Sequence, residues 1–570
     1  MRRAGPRILW AAPQIRPRSV PSRVLRIVAL CLLAIIPYVN SLRGEFHFDD
    51  EGQIVGNEKL TNLTALLRSS PPARWLTFAT FHLNARLHGL DFLPGWHAVN
   101  IALHVACVLA LYWVLTRLAG VGASSGFRGP GAGVRGQRAS THRPEHNHQH
   151  PEPETRNAEP ALGWPFIAAA IFAVHPLASE PVNYIQARSV ILYAVFTLLA
   201  LGGTIVGHRG LTPQHRLGGV LLALSSVALA AFSKEVGAFF AVAVPTLYLV
   251  LFVFPTAQDK PRLLRTAAAG GLAALAVLLI WLALSGALPA IERRVSGDLR
   301  SYWWGQMIVF WRYVLRAAVP LPSLLSVDHY VAYRPYRLAD PDVLAAFAAI
   351  VALVILPAVW LARSRPALSL LLLMVPTTLA PYFVMTTWEM MVEYRFYLPL
   401  AAFCGLAGMA LSRLIRQRPR LAVFGFAAAL VTLGTLTIER NRTWRTDVSL
   451  WEDAVAKAPR KARAVNGLAW ALLKDRAAPD PRRALELAER SFDPRFVDPP
   501  PGYNPYMADT LAEAYYANGM VEKAIVVERD ILRRGWNDRW FRLQLAKFEA
   551  AVGGDFSAAR ASLTRDNRGG

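Results

Sequence analysis

The apolar positions of this chain are grouped in long blocks separated by short polar segments. Blocks long enough to cross a bilayer, about 17 to 25 residues, lie near 24–42, 96–118, 162–179, 186–207, 217–232, 236–255, 267–288, 341–362, 367–386, 395–413 and 421–438. The pattern predicts an all-α, polytopic membrane protein with about eleven transmembrane helices. An odd number of spans places the two ends of the chain on opposite sides of the membrane.

The charges between the blocks predict the orientation. The loops "HRGLTPQHR", "QDKPRLLR", "RSRP" and "RLIRQRPR" are basic, whereas nearly all the carboxylates near the blocks lie in the alternate loops. Because basic loops remain in the cytoplasm, we expect a cytoplasmic amino terminus and a periplasmic, extracellular or lumenal carboxy terminus. The first block follows an Arg-rich segment and could be a signal peptide, but it lacks a clean small-residue cleavage site. We therefore interpret it as a retained span.

Composition excludes several classes of protein. The 570 residues are 54% hydrophobic, with a net charge of +23 and a mean hydropathy of +0.29, which is too apolar for a soluble domain of this size. The basic excess could indicate nucleic-acid binding, but the Arg residues form short clusters between apolar blocks. We expect membrane lipids and no nucleic acid as partners. The cysteines, Cys31, Cys107 and Cys404, lie inside apolar blocks and predict no disulfide.

Two segments differ from the rest. Residues 119–161 are rich in Gly, Pro and polar residues and predict a disordered cytoplasmic linker. Its "HRPEHNHQH" could bind a metal adventitiously, but flexible His tracts without Cys rarely form a site. After about residue 440 the sequence becomes amphipathic, and "MADTLAEAYYANGMVEKAIVVERDIL" has the spacing of a tetratricopeptide helix pair. The chain thus divides into a transmembrane domain, 1–440, and a small outer helical domain, 441–570.

Asp49 and Asp50 lie a few residues beyond the first block, within the aromatic stretch "FHFDD". An acidic pair in a loop could be simply solvated. Beside a membrane span, in an aromatic and partly dry setting, a carboxylate has a raised proton affinity and can act as a general base. The pair could also bind a divalent metal, although hard cations usually need more oxygen ligands than these.

Ionisable residues next to apolar blocks recur on the same predicted side. Such groups are costly near the membrane and indicate functional sites, although each cluster could equally be an internal ion pair. Because cations at the apolar boundary suit the phosphate of a lipid-linked sugar, the clusters favour a common polar site. The candidate substrate-binding residues are His175, Glu180 and Arg188, then Lys234 and Glu235, then Asp328 with His329, and finally Arg395 with Glu393.

Ordered motifs along most of the chain resemble the integral-membrane GT-C glycosyltransferases. They are "FHFDDEGQIVGN", "WHAVNIALH", "FAVHPLASEPVNYIQARSVIL", "SKEVGAFF", "LPSLLSVDHY", "EYRFYLPLAAF" and "RNRTWRTDVSLWEDAV". The closest likeness is to the branch with carboxy-terminal repeats, the transmembrane-and-tetratricopeptide protein O-mannosyltransferases. The chain departs from it in its short repeat region, in the insertion at 119–161 and in "VEYRF".

The resemblance implies a polyprenyl-phosphate-linked sugar donor and a protein or peptide acceptor that the repeats capture. It also implies an acidic base in the first outer loop, which corresponds to Asp49 or Asp50. Arg395 and Lys234 correspond to lipid-phosphate contacts, with Arg188 as a weaker candidate. A transporter and a non-catalytic membrane scaffold remain as alternatives. The charges gather at one face rather than at the midplane, and the two halves show no obvious repeat, which disfavours a transporter.

Overall fold

The computed structural model describes residues 22–124, 163–253, 299–331, 334–384, 389–475, 477–493 and 504–553. These ranges contain helices and no β-strand, so the predicted all-α class is confirmed. The α-helices are α1 Ser22–Ile35, α2 Leu63–Ser69, α3 Trp75–His88, α4 Leu93–Ser124, α5 Trp164–Ala173, α6 Ser179–Asn183, α7 Arg188–Arg209, α8 Pro213–Ala231, α9 Gly237–Phe252, α10 Leu299–Ala318, α11 Pro341–Ile350, α12 Leu356–Leu361, α13 Pro366–Val384, α14 Tyr397–Gln417, α15 Pro419–Thr443, α16 Asp447–Lys457, α17 Ala462–Lys474, α18 Pro481–Arg490, α19 Pro505–Ala517, α20 Val521–Arg533 and α21 Arg539–Ala550.

Membrane-length helices account for most of the predicted spans. In the described part of the chain, seven helical segments are long and apolar enough to cross a bilayer: Arg23–Arg43, Leu93–Gly120, Ile185–Arg209, Pro341–Leu361, Pro366–Phe383, Glu393–Gln417 and Pro419–Thr443. The block 162–179 is divided between α5 and the helical segment Pro176–Asn183, with a bend of 55°. The block 236–255 corresponds to α9, which is apolar but shorter, and 217–232 corresponds to α8. The block 267–288 lies outside the described residues, so the count of eleven stays a prediction.

The backbones of α7 and α8 are in direct contact. A Cβ atom on Gly203 would lie 2.7 Å from the backbone of Ala223, and one on Gly219 would lie 2.3 Å from the backbone of Gly207. Small residues allow this close approach of helices. The contact fixes the position of α8 and of the short connection that follows it, where Lys234 and Glu235 lie.

The helix ends form two groups at opposite ends of the transmembrane bundle. At the acidic end, the segments that leave α1 and α15 meet, because Asn40 donates to the Ile438 carbonyl and Asn441 donates to the Pro37 carbonyl, both at 2.9 Å. Clustered cations mark the basic end, including Arg209, Arg216, Arg363, Arg365, Arg413, Arg416, Arg418 and Arg420. Cations such as Lys234 and Arg395 also lie at the acidic end, so the basic end is distinguished by connections that carry Arg without carboxylates.

The carboxy-terminal helices continue from α15 without a gap in the hydrophobic core. A capping box between Thr446 and Ser449 starts α16. Side chains of α17 and α18, such as Leu468 and Ala488, belong to the same buried cluster as the membrane helices, and α19 adds Ala514 to it. Further side chains of α19, with those of α20 and α21, form smaller clusters around Phe548 and Phe541. The boundary at 440 remains a prediction, and the core crosses it.

Candidate functional site

The loop after the first span contains one backbone residue in an unusual conformation. Phe48 has φ of +52°, in the left-handed region that non-glycine residues rarely adopt. Its ring lies against the edges of Tyr184, Trp444 and Trp451, at centroid distances of 5.6, 6.3 and 5.4 Å. Packing against three aromatic rings holds this costly conformation, as is common at functional sites. Directly after Phe48, the Asp49 side chain is exposed and the Asp50 side chain is buried.

Asp50 anchors the loop rather than facing solvent. It is 0% exposed, one carboxylate oxygen accepts from the His47 backbone N–H at 3.1 Å, and the other accepts from the Gln186 N–H at 2.7 Å. Burial raises the pKa of Asp50 to about 7. Because both oxygens are engaged, Asp50 does not fit a metal site shared with Asp49. The described ranges also contain no group of three or more His, Cys, Asp or Glu residues that could hold a metal ion.

Lys234 lies in the connection between α8 and α9. Its Nζ lies 4.5 Å from the centroid of the Tyr394 ring, and none of the described residues accepts a hydrogen bond from it. Burial, with the charges of Arg74 and Arg395, lowers the pKa of Lys234 to about 7, against the opposing charges of Glu235 and Asp49. A bound anion would relieve this shift, because an opposite charge favours the protonated amine.

Arg74 brings a further cation to the same place. Its Nε donates to Glu235 at 2.6 Å. The start of α3 is fixed against the α8–α9 connection, because the Leu76 N–H donates to the Phe232 carbonyl at 2.9 Å and the Thr77 hydroxyl donates to the Ser233 carbonyl at 2.7 Å. Burial raises the pKa of Glu235, but Arg74 and Lys234 bring it below its ordinary value.

Arg395 lies in the turn that precedes α14. It donates to the Glu389 carbonyl at 3.0 Å, and its guanidinium lies 5.4 Å from the Tyr382 ring centroid. Its charge acts on Lys234, on which Asp49 also acts, and the neighbouring Tyr394 supplies the ring beneath Lys234. Lys234 therefore lies within electrostatic range of two other residues selected from the sequence, Asp49 and Arg395.

Arg188 and His175 lie in the protein interior. Arg188 is 0% exposed, and it donates to Asn100 and Asn84 at 2.8 Å and to the carbonyls of Thr80 and Trp96. With these donors occupied by protein, Arg188 joins α3 and α4 to α7 rather than presenting a free guanidinium.

The ring of His175 joins the break before α6 to α10. Its Nε2 faces the Ala317 carbonyl at 3.0 Å, and its Nδ1 accepts from the Leu177 N–H at 3.2 Å. With both ring nitrogens engaged, His175 holds the turn that follows α5.

The remaining predicted carboxylates bind neighbouring protein groups. Glu180 accepts from the Tyr394 N–H at 3.0 Å, which fixes the turn that carries Arg395. Glu393 accepts from the Ser326 N–H at 2.7 Å, contacts His329 at 2.8 Å and lies 3.5 Å from Arg440.

Asp328 binds two cations from the carboxy-terminal helices. Lys461 lies 2.6 Å from its Oδ1 and Arg463 lies 3.1 Å from the same oxygen. These contacts of Asp328 connect the acidic end of the bundle to the start of α17.

Sequence reasoning did not select Arg74 or Tyr394. Arg74 could have been found from the sequence, because it directly precedes an aromatic helix and a cation beside an aromatic segment is typical of a membrane surface. Tyr394 had no such signal, because an aromatic residue beside Arg395 is equally typical of a core. Together the groups leave an exposed carboxylate, Asp49, beside cations at an apolar boundary, an arrangement that can bind an anion and accept a proton.

Comparison with curated proteins supports the resemblance predicted from the motifs. A protein O-mannosyl-transferase of Drosophila melanogaster is 25% identical over 545 residues, which is 82% of this chain and 56% of that protein. A protein O-mannosyl-transferase of Caenorhabditis elegans is 29% identical over 205 residues, 33% of this chain and 24% of the relative. A human one is 28% identical over 241 residues, 39% of this chain and 29% of the relative.

The chain spans about half the length, or less, of these relatives. No family model matches it, and no solved structure matches it either. The names of the relatives agree with the family that the sequence motifs resemble, so that prediction is confirmed.

Proposed function

We propose that this chain is a membrane glycosyltransferase that moves a sugar from a polyprenyl-phosphate-linked donor to a hydroxyl group of a protein acceptor. The observation that carries the proposal is the exposed carboxylate of Asp49 beside Lys234, Arg74 and Arg395, at the apolar boundary of the bundle. The names of the relatives support mannose as the sugar and protein as the acceptor.

The chemistry needs one proton acceptor and one site for a leaving phosphate. Asp49 takes the proton of the acceptor hydroxyl, whose oxygen attacks the anomeric carbon of the donor sugar. The bond from that carbon to the phosphate oxygen breaks, and the phosphate leaves with the electron pair. Lys234 and Arg395 stabilise the negative charge that develops on the phosphate, where preorganised cations act most strongly.

The other charged groups of the site hold these cations in place. Glu235 keeps the Arg74 guanidinium beside Lys234, and the Glu389 carbonyl orients Arg395. The aromatic rings of Tyr394 and Tyr382 lie against the two cations and exclude water from one side. None of the described residues accepts a hydrogen bond from Lys234, so a phosphate bound there gains a charge-assisted bond.

Substitution of Arg395 tests the phosphate contact. We expect Arg395→Ala to weaken binding of a polyprenyl-phosphate sugar about 10- to 150-fold, because a hydrogen bond to a charged group contributes about 1.5–3 kcal/mol. Arg395→Lys restores binding only in part, since the bidentate geometry of the guanidinium is lost. Donor affinity is measured with the purified protein in nanodiscs, alongside transfer to a protein acceptor.

Arg312→Ala is the matched control. Arg312 lies in α10 and donates to the Tyr330 carbonyl at 2.7 Å. It makes none of the contacts described above for Lys234, Arg74 and Arg395, so its removal should leave donor affinity unchanged. Unchanged affinity in both Arg395 variants would remove Arg395 from the site. A protein that binds the donor without transferring the sugar to any acceptor would favour a scaffold, and movement of the intact donor across the bilayer would favour a transporter.

The proposal places the acidic end of the bundle on the outer face of the membrane, because the opposite end carries the clustered Arg residues. We expect a reporter fused after residue 570 to be active only on the outer side, and a reporter inserted near residue 140 only in the cytoplasm. Cytoplasmic activity of the carboxy-terminal reporter would contradict the proposed orientation. Asp49 would then face the cytoplasm, out of reach of lumenal or extracellular acceptors.

A further inference from the structure

His47 connects the loop of Asp49 to the start of the carboxy-terminal helices. Its ring is 0% exposed. Nδ1 lies 2.6 Å from the Asp447 carboxylate, and Nε2 lies 2.9 Å from the Trp444 carbonyl. The imidazole also packs edge-on against the Trp444 ring, with centroids 5.5 Å apart. No feature of the sequence indicated this contact, which spans 400 residues.

The two partners of His47 define its protonation state. A carbonyl oxygen and a carboxylate oxygen both accept hydrogen bonds, so each ring nitrogen must donate one. A neutral imidazole has a single N–H and would leave one buried nitrogen facing an acceptor without a proton. Only the doubly protonated imidazolium satisfies both contacts, and a buried unsatisfied polar group is costly.

The backbone of His47 continues this connection to the candidate base. Its N–H donates to Asp50, and the next residue is Phe48, whose left-handed conformation directs Asp49 outward. Trp444 contacts the rings of both His47 and Phe48. Release of His47 from residues 444–447 would therefore loosen the one turn that sets the direction of Asp49.

We propose that His47 is a positioning residue whose imidazolium holds the Asp49 loop against the start of α16, and that loss of its proton releases the loop and lowers transfer. The proposal rests on the proposed function for its catalytic consequence, because Asp49 is the base only there. The tie itself rests on the geometry of His47, Trp444 and Asp447 and needs no substrate.

Other ionisable groups that face His47 are Asp447 from α16, Asp50 and Glu45 from its own loop, and His97 from α4. Burial lowers the pKa of His47, but the Asp447 carboxylate, the Trp444 carbonyl and the charge of Asp50 together raise it above its ordinary value. Because the folded-state pKa is raised, the stabilisation is complete below the unfolded-state pKa. It is lost as pH rises through the folded-state pKa.

The substitution Asp447→Asn tests the tie between His47 and residues 444–447 with little change in the shape of the side chain. The amide oxygen can still accept from Nδ1, but the negative charge is lost, so His47 releases its proton at lower pH. The transfer rate of wild type should fall as pH rises and His47 loses its proton. In Asp447→Asn this fall, the alkaline limb of the pH profile, should occur about 1–3 pH units lower, the usual effect of removing an opposite charge in direct contact. Below that limb, the rate should match wild type. In His47→Gln, whose N–H donors lie on a single nitrogen and which does not titrate, this limb should be absent and the rate low throughout.

Asp538→Asn is the control, because Asp538 caps another helix far from the site and its replacement keeps the cap. Its pH profile should equal that of wild type. An alkaline limb at the same pH in wild type and Asp447→Asn would overturn the positioning role.

Thermal unfolding provides a reading that does not need a substrate. The difference in unfolding midpoint between wild type and Asp447→Asn should be largest just below the unfolded-state pKa of His47 and close as pH rises through its folded-state pKa. Parallel midpoints across the pH range would overturn the imidazolium tie. If wild type transferred no sugar from any polyprenyl-phosphate donor, the proposed function would fail, and the unfolding curves would still decide whether the tie exists.

Discussion

We expect replacement of Asp49 by Asn to lower sugar transfer by about 10²–10⁴-fold, the loss typical of removing a general base, and to leave donor binding and thermal unfolding unchanged. The exposed Asp49 carboxylate keeps its shape as an amide but can no longer accept the proton of the hydroxyl. Its position on the surface of the loop predicts no effect on folding. The measurements are transfer to a protein acceptor, donor affinity and the unfolding midpoint.

Asp50→Asn is the matched control, since the two residues are adjacent and the change is the same. Asp50 accepts one backbone N–H with each oxygen, and an amide has a single acceptor oxygen, so one of these bonds is lost. We expect a changed unfolding midpoint and a smaller loss of transfer than in Asp49→Asn. Normal transfer in both variants would show that the pair is not catalytic, and the larger loss in Asp50→Asn would exchange the two roles.

The sequence predicted the spans well where an apolar block is continuous. Hydrophobic length decides whether a helix can cross a bilayer, and this signal is local. The bend between α5 and α6 was missed because 162–179 appears as one block. The cause of the bend is also local, since Pro176 lacks a backbone N–H and cannot continue the hydrogen bonds of a helix. The residues around Pro176 are apolar, so the hydrophobic pattern does not show the break.

Part of the candidate site was predictable for a geometric reason. Asp49, Lys234 and Arg395 each lie where a helix of the bundle begins or ends on the same side, so the alternation of spans brings them to one end. Their individual roles were not predictable. Arg188 lies at the start of a helix, as Arg395 does, yet its partners Asn84 and Asn100 come from α3 and α4. Contacts between elements far apart in sequence have no local signal.

The same limit applies to the role of the carboxy-terminal helices. Their amphipathic pattern predicts repeats that capture an acceptor. The pattern does not show that α17 contributes Lys461 and Arg463 to Asp328, or that Arg463 lies 2.7 Å from Glu389. Glu389 in turn supplies the carbonyl that orients Arg395. The start of α17 therefore supports Arg395, the candidate phosphate contact. None of these ion pairs involves a residue of α19 to α21.

Two truncations separate these roles. A chain that ends at residue 493 keeps α16 to α18, and we expect it to hydrolyse the donor nearly as well as wild type while losing most transfer to a protein acceptor. Arrays of helix pairs present concave surfaces for extended partners, and each pair depends mainly on its neighbours. Loss of α19 to α21 should therefore remove acceptor capture and leave the chemistry.

A chain that ends at residue 459 should lose both donor hydrolysis and protein transfer. It lacks Lys461 and Arg463, so Asp328, which is 1% exposed, keeps neither cation. Breaking a buried ion pair from one side costs about 3–5 kcal/mol, and Glu389 also loses its ion pair with Arg463. The full-length variant Lys461→Met with Arg463→Met should reproduce the loss of hydrolysis while retaining the repeats. Donor hydrolysis that survives in the chain ending at 459, or in the double variant, would show that the catalytic unit ends before α17.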